Sequence, residues 1–181
     1  MRAILFSGVH GVGKGFFLEK VKKDIQQYDV YSASLLIEQF QPATDAGYKK
    51  VSNVNSNQDV LIKAIKAQKI QNKKDFILDG HLCVFNANGD VVRIPEYFFA
   101  DAGINGIVLL QDEPQIICER INQRDSNKVR ICDIESVQNE EQKYVEELQH
   151  KFQIDYTIIS HKCTGEQFQE KLKELGEVFH E

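Results

Sequence analysis

Apolar residues follow two spacings along this chain. Short unbroken runs at 3–7, 30–32, 76–78, 107–110 and 156–159 read as strands buried on both faces. Between them the apolar positions recur every three or four residues, the period of a helix with one buried face. Phe17, Leu18, Val21 and Ile25 make such a face, with Lys20, Lys22, Lys23 and Asp24 opposite, and predict a helix of about four turns. Val60, Leu61, Ala64 and Ile65 predict a second over 56–72, with Ser56 or Asn57 as its cap. Pro95 opens a short helix to about Ala102. Ile116, Ile117, Arg120 and Ile121 share one side of a helix over 114–124. After a polar loop at 125–133, Val137, Tyr144, Val145, Leu148 and Phe152 turn inward, and Phe168, Leu172 and Leu175 do so over 165–179. Residues 82–93 break the alternation. Asn88-Gly89 supplies positive-φ positions between two short runs and predicts a β-hairpin. Buried strands alternating with helices predict a parallel sheet with helices on both faces.

Composition narrows the class. At 181 residues, 42% hydrophobic and 27% charged, the chain is expected to fold as one domain over 1–181. A net charge of -5 argues against non-specific nucleic-acid binding, which needs a basic surface. The lysine runs at 20–23 and 63–74 read as solvated helix faces. Cys83, Cys118, Cys132 and Cys163 are scattered and form no C-x-x-C pair, so reduced and mostly buried thiols are expected. The N-terminal apolar run reaches glycine too soon for a signal peptide, and no run is long enough for a membrane span. A cytoplasmic protein is the expectation.

The chemistry lies between the first run and the first helix. Gly8-Val9-His10-Gly11-Val12-Gly13-Lys14-Gly15 fits G-x-x-x-x-G-K. Glycines let the backbone curl round an anion and aim several N–H groups inward. A helix N-terminus adds its positive end, and Lys14 adds a full charge for the β- and γ-phosphates. The expected ligands are ATP and Mg²⁺. The predicted nucleotide contacts are Gly8, His10, Gly11, Val12, Gly13, Lys14, Gly15 and Phe16.

This segment resembles the phosphate loop of adenylate kinases and related nucleoside-monophosphate kinases, G-x-P-G-x-G-K-G, with His10 in place of proline. In that family glycine follows the lysine, as Gly15 does here. Ser32-Ala33-Ser34-Leu35-Leu36 is similar to the family's Thr-Gly-Asp-Leu-Leu. Phe76-Ile77-Leu78-Asp79-Gly80 is similar to the strand ending Leu-Asp-Gly-Phe-Pro-Arg, and Arg120 with Arg124 to the Arg-x-x-x-Arg that opens the lid. The closest flavour is the short archaeal type. The resemblance implies a three-layer α/β/α P-loop fold with a five-stranded parallel sheet of order 2-3-1-4-5. It also implies an acceptor-side region over about 32–72 and a short lid over about 124–135. Where the family has the arginines that grip the AMP phosphate, Ile37 and the run His81-Leu82-Cys83 stand instead, and Phe16 stands where threonine usually does. The donor half of the pattern is better kept than the acceptor half.

The candidate roles follow. Lys14 holds donor phosphates, and Asp79 at a strand end holds Mg²⁺ or caps the next loop. By resemblance, Arg120 stacks near the adenine and Arg124 contacts phosphate, while Arg130 in the lid either closes on the transferring group or makes a surface ion pair. His81 faces the cleft mouth. Arg93 reads as a solvated hairpin residue. The 160–165 loop matches the family's adenine loop in position. The reading is a phosphotransferase moving the γ-phosphate of ATP to a small acceptor, a nucleoside monophosphate by resemblance. The alternative is an ATP-binding module that switches shape for a protein partner.

Overall fold

The computed structural model describes residues 2–40, 54–71, 74–86, 89–125 and 128–175. Five strands form one parallel sheet: β1 (Ala3–Ser7), β2 (Asp29–Ser32), β3 (Phe76–Asp79), β6 (Gly106–Leu110) and β7 (Asp155–Ile159). A separate antiparallel hairpin is built from β4 (Cys83–Phe85) and β5 (Val91–Arg93). The sheet order is β2-β3-β1-β6-β7. Counted without the hairpin strands this is 2-3-1-4-5, the expected order. Every residue of β1 and β6 is buried, as a strand covered on both faces must be.

The helices are α1 (Lys14–Val21), α2 (Ala33–Phe40), α3 (Val54–Gln71), α4 (Glu96–Ala102), α5 (Pro114–Arg124), α6 (Ile131–Phe152) and α7 (Gly165–Glu174). On one face of the sheet Phe6 stacks on Phe17 of α1 at 5.7 Å, and Phe168 of α7 meets Phe17 edge-on at 5.1 Å. On the other face Phe99 of α4 packs edge-on against Tyr144 of α6 at 5.8 Å. Arg93 is no solvated arginine. It lies 4.6 Å over the Tyr144 ring and pairs with Glu140 and Glu147, tying the hairpin to α6.

Several expected boundaries move. The first helix is eight residues long rather than four turns, because beyond Val21 the chain tightens into turns closed by Lys22 N–H to Glu19, Asp24 N–H to Val21 and Tyr28 N–H to Ile25. Ile25 is still buried, so the apolar period outlasts the helix. Helix α2 was not foreseen. Helix α3 starts at Val54, which leaves Ser56 and Asn57 inside it rather than at its cap, and Val60 is only half-buried. Helix α6 begins at Ile131, two residues before the expected loop ends, because the Asp133 carboxylate accepts the Arg130 backbone N–H at 3.1 Å. The expected end of α3 at Asn72, the hairpin tip at Ala87 and Asn88, Ser126 and Asn127 of the lid, and the last helix beyond Leu175 lie outside the described residues.

Register brings the site together. In the parallel pairing Phe6 of β1 lies opposite Asp79 of β3, and Ser32 of β2 lies opposite Asp79 from the other side. The C-terminal ends of β2, β3 and β1 therefore converge where Gly8 begins the glycine loop, the usual place for a ligand in an open α/β sheet. Among the described residues no helix is long and apolar enough to cross a membrane. All four cysteines are free, with Cys132 exposed and the others buried.

Candidate functional site

The glycine loop is built from backbone that side chains would obstruct. Gly13 has φ 97°, and a Cβ there would stand 3.1 Å from the His161 ring. At Gly11, φ 84°, a Cβ would come within 2.4 Å of Ile121. Gly15 is different, because its missing Cβ would meet nothing within 4 Å. Lys14 then opens α1, so its stem is buried while the helix N-terminus faces the loop.

The Lys14 ammonium donates to the Gly8 carbonyl at 3.2 Å and to Nε2 of His81 at 2.9 Å. The Asp79 carboxylate lies 3.9 Å away. Because lysine only donates, His81 accepts through an unprotonated Nε2 and carries its proton on Nδ1. Burial, with the positive Lys14 and then His10, pushes the His81 pKa down to about 3, so the ring is neutral. Burial lowers the Lys14 pKa against the opposing pull of Asp79 and Glu141, and burial raises that of Asp79 against Lys14.

A cavity of about 670 Å³ opens beside the loop. Gly11, Gly13, Lys14, Gly15 and Phe16 form one wall, and side chains of α2, α3, the hairpin and α4 form the other. Asp79, His81, His10 and Arg124 line it too. The Arg124 guanidinium binds both oxygens of Asp125, at 2.7 and 2.8 Å, and meets His10 Nε2 at 2.7 Å.

The other expected arginines sit elsewhere. Arg120 does not line the cavity. It donates to the Val12 carbonyl at 3.2 Å and pairs with Asp112 at 3.0 Å, gripping the loop from behind. His161, in the loop after β7, meets the same Val12 carbonyl at 2.6 Å. Arg130 is also outside the cavity lining. Its side chain is 78% exposed and its guanidinium is bound to Asp133 at 2.7 Å, because the start of α6 claims it.

Two neighbours of the loop escaped the sequence reading. Glu141 of α6 is fully buried directly behind β1. Its Oε1 accepts from the Ser7 hydroxyl at 3.2 Å, while its Oε2 has no hydrogen-bond partner among the described residues. The same hydroxyl accepts the Leu82 backbone N–H at 2.8 Å, which fixes the segment carrying His81. Burial pushes the Glu141 pKa up to about 7, opposed mainly by Lys14. His161 was the other omission. Glu141 did leave a signal, because it falls on the apolar stripe of α6 between Val137 and Tyr144.

Mg²⁺ suits this arrangement. It takes one or two carboxylates and fills its shell with water and substrate phosphates. Asp79 is the only carboxylate among the described residues lining the cavity, partly exposed beside Lys14.

A family model described as an AAA domain matches residues 7–138. No curated protein matches the chain. Among solved structures the chain is similar to a tunicamycin resistance protein from Deinococcus radiodurans, with TM-score 0.60 and 15% identity over 96% of this chain and 94% of that one. It is similar to deoxyadenosine kinase from M. mycoides, solved with bound dATP, with TM-score 0.54 and 15% identity over 96% of this chain and 100% of that one. A gluconokinase from Sinorhizobium meliloti 1021 gives TM-score 0.52 and 14% identity over 97% and 94%. These likenesses carry the α/β P-loop kinase fold.

Proposed function

The chain belongs to the AAA domain family, and from that premise we propose that it is a phosphotransferase moving the γ-phosphate of ATP to a small acceptor. One observation carries the reading. The cavity runs from the phosphate loop beside Lys14 to a wall built by other elements, which supports a reading in which donor and acceptor occupy one enclosure. An ATP hydrolase has no need of a second wall, whereas group transfer needs one to position the acceptor and keep out water.

In this reading Lys14 leaves His81 for the donor phosphates, joined by the loop N–H groups. Asp79 would hold Mg²⁺, which would supply positive charge to neutralise the phosphates. Arg124 contributes a cation from the cavity wall. Arg120 acts through the Val12 carbonyl and shapes the loop without touching the nucleotide.

The test is ADP release with MgATP, with and without a panel of nucleosides and nucleoside monophosphates, following the phosphorylated product. Acceptor-dependent release with stoichiometric product is expected. Lys14→Ala should lower turnover by about 10²-fold or more while circular dichroism is unchanged. Hydrolysis indifferent to every acceptor would sink the proposal and favour a nucleotide-driven switch acting on a protein partner.

A further inference from the structure

The wall facing the phosphate loop has its own chemistry. Ile37 of α2, Leu61 of α3, Val84 of β4, Ile94 just after β5, and Phe98 of α4 present a broad apolar surface. Set into it are uncharged hydrogen-bonding groups. The Ser32 and Ser34 hydroxyls lie 2.9 Å apart, and the Gln58 amide lines the cavity while only 7% exposed.

Full charges are scarce and committed. Among the described lining residues the cations are Lys14 and Arg124, both at the phosphate loop, and Arg124 already binds Asp125 through two oxygens. The one carboxylate, Asp79, lies 3.9 Å from Lys14. An acceptor bearing a phosphate would bring negative charge beside Asp79 and against a wall whose described lining residues carry no counter-charge. A polycationic acceptor would find a single carboxylate that is already paired. Burying an ion without a partner costs far more than the hydrogen bonds nearby return.

We infer that the acceptor is an uncharged hydroxyl compound with a largely apolar body, seated against Ile37, Leu61, Val84 and Phe98 and oriented by Ser34 and Gln58. This rests on the phosphotransferase reading. In the step, the acceptor oxygen bonds to the γ-phosphorus as the bond from that phosphorus to the β–γ bridging oxygen breaks. ADP leaves with the electron pair, and the hydroxyl proton passes to a phosphoryl oxygen of the product and on to water. The inference departs from the nucleoside-monophosphate acceptor implied by the sequence resemblance.

The test compares alcohols with their own phosphate monoesters: adenosine with AMP, thymidine with its 5′-monophosphate, and 4-nitrophenyl glucoside with its 6-phosphate. Binding to the full chain is measured by calorimetry, and ADP release is followed in parallel. At least one alcohol should bind about tenfold or more tightly than its monoester. Ile37→Arg, at a half-buried surface position, should narrow or reverse that ratio. A monoester that binds better in every pair, or no binding by any alcohol at millimolar concentration, overturns the inference. The two readings fail separately. Phosphorylation of a monoester leaves the phosphotransferase standing and removes the uncharged acceptor. Binding of an alcohol without acceptor-dependent ADP release removes the phosphotransferase, and with it the acceptor role, and leaves only the wall's preference for an uncharged ligand.

Discussion

Glu141 shows what a single buried acid does to a molecule of this kind. Its carboxyl is pushed up from 4.5 to about 7 by burial, so the folded protein holds a proton there that the unfolded chain would release. The stability this group contributes is complete below about pH 4.5 and is lost as pH rises through about 7. Lys14 offsets part of that loss, and Cys83, pushed up to about 12 chiefly by burial, does not titrate in the window. Glu141→Gln removes the ionisable group while keeping an oxygen for the Ser7 hydroxyl. Urea midpoints at pH 5 and pH 8 should converge in the variant relative to the parent. An identical pH slope in both would show that Glu141 is not the group responsible. At this scale the phosphate-loop spacing pointed to Lys14, a strand end to Asp79 and His81, and the family resemblance to Arg124, and all four line the cavity. It hid Glu141 and His161, whose partners lie 134 and 149 residues away. An acid on an apolar stripe is a readable warning. A histidine held against a backbone carbonyl leaves none.

The loop and α1 behave as one element with two kinds of glycine. Gly13 occupies a left-handed conformation against the His161 ring, so Gly13→Ala should cost about 1–3 kcal/mol and weaken nucleotide binding. Gly15 sits inside the first turn of α1 with open space around it, so Gly15→Ala should stabilise by about 0.4–1 kcal/mol. Denaturant unfolding of both variants checks the pair, and equal effects would contradict the geometry. The same contrast explains which elements were legible. Asn88-Gly89 forecast the hairpin because turn chemistry is local, and Gly89 does take φ 85°. Helix α2 was invisible because its eight residues carry one buried side chain, Leu36, too few for a period. The first helix was read too long because Ile25 continues the spacing through turns that are not α-helical.

Across the whole molecule, the alternation of buried strands and amphipathic helices was enough to specify the parallel sheet and, with the phosphate-loop resemblance, its order. Long-range register was not legible, and it is register that sets Asp79 opposite Phe6. The proposed nucleotide site also makes a global prediction. A ligand that binds only the folded chain at about 100 times its dissociation constant adds about 2.7 kcal/mol. For a chain of this size that is a rise of about 5–11 °C in melting temperature. MgATP should produce such a shift in the parent and little or none in Lys14→Ala, read by differential scanning fluorimetry. Equal shifts in both would place ATP elsewhere.

The Val12 carbonyl gives this architecture a clock. It is held by Arg120 and by His161, which follows it by 149 residues. During synthesis, at about 5–20 residues per second, the phosphate loop emerges roughly 7–30 s before the residue that fastens it. The nascent chain therefore carries a complete phosphate-loop motif well before it carries a finished loop. The second fastening of the loop is made only after the strand that precedes His161, β7, has been synthesised.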